Sequence, residues 1–140
     1  MRTFHDPKID GIARLELFDG LSRRQLSRLA TLADEIERPA GTELARQGAF
    51  GGEALIVLDG MILIERDGHE IAVVGAGTVL GEIALLDRVR RNATVTTLTS
   101  VRLLVLGIRD FQALLYEFPA IADRIERDAE ARHAAAHEAS

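Results

Sequence analysis

Fifteen residues of this chain, Gly81 to Val95, read GEIALLDRVRRNATV and concentrate its candidate chemistry. A lone acid, Glu82, precedes an apolar run, and Arg88, Arg90 and Arg91 then fall within four positions. The run Glu82 to Leu86 is long enough for about one helical turn, whose free N–H groups would point at an anion. Arg91 can add two charge-assisted hydrogen bonds to the same anion. Glu82 narrows the choice of ligand, because a carboxylate repels phosphate and accepts well from a hydroxyl. A ligand carrying both phosphate and sugar hydroxyl, such as a nucleotide, satisfies both side chains. Gly75, Gly77 and Gly81 nearby permit unusual backbone angles and close approach of a ligand to the main chain.

This segment has to be held between other elements. LELFDGLSRRQLSRLATLADE reads as a helix, with Leu26, Leu29, Ala30 and Ala33 recurring on one face. Ser22 suits its N-cap, Gln25 completes a capping box, and Leu21 and Leu26 stand where a hydrophobic staple would form. Phe18 and Leu21 are expected to anchor it. From about residue 35 to 107 the chain becomes short β-rich runs punctuated by glycine. Asp67-Gly68 is a type I′ hairpin signal, and Asp59-Gly60 marks a second turn. Leu55 to Leu58 and Leu103 to Leu106 are too apolar for a half-exposed sheet, so they belong in the core of a closed or double-layered one. Helical patterning resumes with Phe111, Leu114 and Leu115, and Pro119 starts a new helix carrying Ile121 and Ile125. The alanine-rich end is expected to fray.

The chain has 140 residues, 47% of them hydrophobic, and a formal net charge of -5. One domain is expected over 1–140, helical at 7–34, β-roll at 35–107 and helical again at 108–136. Acidity argues against a nucleic-acid partner. The absence of cysteine excludes disulfide scaffolds, thiolate metal sites and cysteine catalysis. Neither a membrane span nor a signal-peptide pattern is legible, which points to a cytoplasmic location.

With GEIALL followed by RNATV, the chain resembles the cyclic nucleotide-binding domains of catabolite activator proteins, kinase regulatory subunits and cyclic-nucleotide-gated channels. LFDGLS, QGAFGGEALIVLDG and LLVLGIRDF look like that family's other landmarks, so the resemblance runs from about Leu15 to Leu115. It implies a mainly β fold with flanking helices: a double-stranded β-helix, or jelly-roll-like β-roll of about eight strands, with N-terminal and C-terminal helices. It also implies that Glu82 holds the ribose 2′-hydroxyl and Arg91 the cyclic phosphate. Gly81, Ile83 and Ala84 would offer main-chain groups or close packing, and Asn92 would sit beside the phosphate. Two positions depart from the pattern. Arg90 stands where proline is common in eukaryotic members, and Asn92 where alanine or a hydroxyl residue is frequent, a choice associated with adenine versus guanine preference. Arg88 and Arg90 are read as surface, and Arg124 and Arg127 as within reach of the base.

The function implied is a cAMP or cGMP receptor, cAMP being favoured, that signals to an effector protein through movement of its C-terminal helix. It needs no cofactor and no metal. It is a monomer or weak homodimer, Ile121 and Ile125 offering only a narrow seam for self-association. The chain is read as no enzyme: it has no G-x-S-x-G, Walker A or H-E-x-x-H sequence. His133 and His137 have chelating spacing but no third ligand, and His69 is the only histidine in the β-rich region, too few for a metal-binding cupin. The readings set beside this one are a regulatory part of a larger protein and an interaction module that keeps the fold without binding nucleotide.

Overall fold

The computed structural model describes residues 6–81 and 90–128. Helix α1 (Pro7–Ala13), a 3-10 turn (Glu16–Phe18) and helix α2 (Arg23–Leu32) precede the strands. These are β1 (Asp34–Arg38), β2 (Glu43–Ala45), β3 (Glu53–Asp59), β4 (Ile62–Arg66), β5 (His69–Val74), β6 (Val79–Leu80), β7 (Thr94–Thr97) and β8 (Val101–Gly107). Helix α3 (Ile108–Glu117) follows, then a last helix, α4, over residues 119–128. The strands form two antiparallel sheets in the orders β1-β8-β3-β6 and β2-β7-β4-β5. Partners are nested: β1 with β8, β2 with β7, β3 with β6, β4 with β5. This is the expected β-roll flanked by helices, eight strands among the described residues.

Strand alternation explains the two longest apolar runs. In β3, Leu55 and Val57 point into a cluster between the sheets, with Ile62, Ile64, Val95, Val101 and Leu103. Their neighbours Ala54, Ile56 and Leu58 point the other way, into a second cluster with Leu104, Leu106 and the helices. A strand covered on both faces has no use for polar alternation, so β3 reads as an unbroken apolar stretch. Composition alone implies that these runs are buried; that helices supply one of the two covers follows only from the packing.

Local signals account for the joints. Ser22 Oγ accepts from the Gln25 amide at 3.1 Å while Gln25 Oε1 accepts from the Ser22 amide at 2.8 Å, completing the capping box at the start of α2. At its far end, Lys8 Nζ donates to the carbonyls of Ala30 and Ala33, a cation on the exposed C-terminal oxygens. Asp67 (φ 54) and Gly68 (φ 77) are both left-handed, as a type I′ turn between β4 and β5 demands. Thr97, 1% exposed, accepts from the Thr42 amide and donates to the Pro39 carbonyl, closing the corner between β1 and β2.

The helices are tied together across sequence. Phe18, Phe111, Leu114, Ile121 and Ile125 share one buried cluster, so the Ile121 and Ile125 seam is occupied inside the chain and is not free for a homodimer. Arg28 of α2 grips Glu117 of α3 with three hydrogen bonds, Nη2 to Oε1 at 2.7 Å, Nε to Oε2 at 2.9 Å and Nε to Oε1 at 3.3 Å. Hydrogen bonding to Arg28, reinforced by its charge, holds the Glu117 carboxyl below its ordinary pKa. The sign follows directly: the contribution is present above the unfolded-state value and is lost as pH falls through the folded-state one. Both side chains are substantially exposed, so the effect on stability is small. In an NMR pH titration Glu117 is expected to protonate at lower pH than an unpaired glutamate, and Arg28→Gln to move it back up. An unchanged Glu117 titration in that variant would refute the assignment.

Candidate functional site

Two connections meet at one end of the roll: residues 46–52, between β2 and β3, and the segment that returns at residue 90 toward β7. Their backbones pair. The Arg91 amide donates to the Ala49 carbonyl at 2.7 Å, and the Gly48 amide to the Arg91 carbonyl at 2.8 Å. Phe50 and Arg90 form a bridge beside them. Arg90 is exposed, as expected, yet it has partners: Nη1 donates to the Gly48 carbonyl at 2.8 Å, and Cζ lies 4.3 Å from the centroid of the Phe50 ring. This cation–π contact covers part of a phenyl ring that remains 70% exposed.

These pairings fix where Arg91 begins and leave its tip in a cleft. The cleft has a volume of about 300 Å³ and is lined, among the described residues, by Arg91, Glu43 to Arg46 and Ala49 to Glu53. Arg91 is half-buried, and Nη2 donates to the Glu53 carbonyl at 3.2 Å. That is the guanidinium's single hydrogen bond among the described residues, out of five N–H donors. The cleft's other arginine, Arg46, is exposed and paired with Glu43 at 3.0 Å. Arg91 is the less exposed of the two and, among the described residues, is paired with no carboxylate.

Of the residues singled out from sequence, Gly81 and Arg91 are brought together. Gly81 takes φ +81, open to glycine at little cost, and a Cβ there would overlap Arg91 Nη1. Gly77 is also left-handed, whereas Gly75 is not. Asn92 is exposed next to Arg91, its carbonyl accepting from Arg66 Nε at 3.0 Å. Glu82, Ile83, Ala84 and the helical turn expected there lie outside the described residues, as do Arg88, His133 and His137. Arg124 and Arg127 are engaged elsewhere. Arg124 Nη1 donates to the carbonyls of Leu17 and Asp19, each at 2.9 Å, and Arg127 Nε to that of Asp123 at 3.3 Å. Arg124 thus clamps the N-terminal turn in this structure.

Sequence reasoning assigns no site role to Ala49, Phe50, Gly51 and Gly52. The Gly51-Gly52 pair is the available signal, and its meaning depends on which side chain crosses it. The paired loop is itself pinned from behind: the Gln47 amide group and Asp67 exchange two hydrogen bonds of 2.8 Å, and the Gln47 backbone donates to Thr94 Oγ1 at 3.0 Å. The main chain that carries Arg91 into the cleft is thus held by a loop that is itself anchored.

The helix-flanked β-roll thus carries, between two loops at one end, a cleft lined in part by the Arg91 side chain. The family model of the cyclic nucleotide-binding domain matches residues 35–117, and the chain belongs to that family. It is similar to a cyclic nucleotide-gated potassium channel of Rhizobium etli, 32% identical over 118 residues that make up 84% of this chain and 33% of the channel. It is also similar to the cGMP-dependent protein kinase egl-4 of Caenorhabditis elegans, 30% identical over 75% of this chain and 14% of the kinase. The chain thus spans a third or less of the length of these curated relatives. Among solved structures, a cAMP-binding acyltransferase from Mycobacterium smegmatis superposes with a TM-score of 0.71 at 29% identity, over 86% of this chain and 38% of that one. Among the described residues no helix is long and apolar enough to cross a membrane, and no three His, Cys, Asp or Glu side chains cluster as metal ligands.

Proposed function

We propose that this domain is a receptor for one cyclic mononucleotide, cAMP before cGMP, and that it performs no chemistry on the ligand. The observation that carries the reading is the Arg91 guanidinium, held in a cleft with a single hydrogen bond among the described residues, in a chain of this family. The cleft volume lies at the small end of the range for ligand pockets, about 300 to 1,000 Å³. In this reading Arg91 takes the cyclic phosphate, Glu82 the ribose hydroxyl, and Gly81, Ile83, Ala84 and Asn92 form the surrounding wall. The preference for cAMP rests on the acyltransferase described as cAMP-binding; the cGMP-dependent kinase makes cGMP the competitor to test.

The output is a shift of population between two dispositions of α4, read by an effector protein. The Arg124 clamp supports this, because it couples α4 to the N-terminal turn and makes a helix movement legible at both ends of the chain. The longer relatives support a role as the regulatory part of a larger assembly.

Isothermal titration of the purified chain with cAMP and with cGMP tests the binding claim. One saturable site per chain, tighter for cAMP, is expected. Absence of both heat and thermal shift with either nucleotide would refute it and leave an interaction module of the same fold. Hydrogen exchange over residues 119–128, unchanged by bound nucleotide, would refute the helix output alone.

A further inference from the structure

Gly51 is a glycine without a turn to explain it. Its φ lies outside the left-handed region, so no left-handed backbone calls for a glycine there. What the position lacks is room. A Cβ built on Gly51 would overlap Nε, Cζ and Nη2 of Arg91, whereas one on Gly52 would meet nothing within 4 Å. Adjacent glycines therefore differ completely: one is an open surface position and the other is filled by a neighbour's side chain.

The atoms that occupy the space decide what a substitution does. They are the far end of a flexible side chain, with no backbone among them, so the guanidinium yields and the fold stays. Its escape is restricted, because Gly81 abuts Nη1 and the Glu53 carbonyl engages Nη2. A guanidinium recognises phosphate through a rigid planar fork, whose value depends on orientation. We propose that Gly51 is a positioning residue of the anion site: the volume its side chain leaves empty is the seat of the Arg91 guanidinium, and a single methyl group there evicts it. The inference rests on the cyclic-nucleotide reading and adds to it a residue that acts through Arg91. It also separates two demands in one cleft, since Gly81 is required by its backbone angle as well as by space and Gly51 by space alone.

The test uses the full chain as wild type, Gly51→Ala, Gly107→Ala, Arg91→Lys and the Gly51→Ala/Arg91→Lys double variant. Each is titrated with cAMP and cGMP, melted, and examined without ligand by NMR of the Arg91 Nε–H resonance. Gly51→Ala is expected to melt with the wild type and to bind at least about tenfold more weakly, as a misplaced binding group does. Gly107 stands outside the cleft lining, and a Cβ there meets nothing within 4 Å, so Gly107→Ala should stay within about twofold in affinity. Against the slender Arg91→Lys side chain, the added methyl should cost nothing further. The Arg91 Nε–H signal should shift in Gly51→Ala and hold in Gly107→Ala. Wild-type affinity in Gly51→Ala would overturn the proposal, and so would an equal loss in the Arg91→Lys background, which would place the effect in the loop. A Gly51→Ala protein that no longer folds overturns it too, because the guanidinium and not the fold is held to give way. Should the wild type bind neither nucleotide, the functional reading fails, while the unliganded resonance still decides whether Gly51 seats Arg91.

Discussion

Replacing Arg91 with alanine is expected to weaken cyclic nucleotide binding by about a hundredfold or more and to leave the melting temperature nearly unchanged. The first half follows from charge-assisted hydrogen bonds worth roughly 1.5 to 3 kcal/mol each. Losing two of them from a phosphate removes at least about two factors of ten. The second half follows from how Arg91 is held. Its amide and carbonyl are bonded to Ala49 and Gly48, and those backbone bonds survive in alanine. Among the described residues the side chain gives the protein one hydrogen bond, to a carbonyl 3.2 Å away. Titration beside a thermal melt separates the two effects. A loss of less than about threefold would mean that the anion is bound elsewhere, and a large drop in melting temperature would mean that Arg91 is structural.

The second large effect concerns stability. Phe111 is fully buried in the cluster that joins α3 to β3, β8 and the remaining helices. Phe111→Ala removes an aromatic ring from a site walled by separate elements, which limits collapse around the cavity. A cost of about 3 to 5 kcal/mol is expected, a large part of the roughly 5 to 15 kcal/mol that holds a domain folded. The melting temperature should fall by on the order of 10 °C for a chain of this size. Tyr116 lies on the same helix and supplies the control: it is 88% exposed, so Tyr116→Ala should be close to neutral. Urea unfolding of both variants checks the contrast, and equal midpoints would refute it. Because Phe111 belongs to the helix-side cluster and the cleft lies elsewhere, the folded fraction of Phe111→Ala should bind nucleotide like the wild type.

Features written in local sequence are legible from the residues themselves. The Ser22 and Gln25 capping box, the Asp67-Gly68 hairpin and the helix begun at Pro119 each depend on residues within a few positions of one another. Arg91 is legible because its segment carries an ordered motif. What cannot be read depends on partners far apart in the chain. Arg124 meets carbonyls more than 100 residues away, and its long side chain looks the same in sequence whether it clamps a turn or reaches a ligand. Arg90 reads as solvated charge because Phe50, forty residues earlier, carries no sign of the ring contact. Gly51 is the hardest to read: its requirement is set by the path of another side chain and leaves no mark on its own backbone.

The nested pairing of the strands also makes one order of assembly the least costly in chain entropy. The β4–β5 hairpin closes the shortest loop, so it is the least costly contact to form from an unfolded chain. Once it has formed, β3 and β6, then β2 and β7, and finally β1 and β8 are brought near by the pair inside them, each step closing a short additional length of chain. A barrel-like topology of high contact order, slow to fold if its outermost strands had to find one another unaided, is thereby given a zipper route from tip to base. The Arg91 segment lies between the β3–β6 pair and the β2–β7 pair, so its cleft takes shape midway along that route, before the outermost strands have joined.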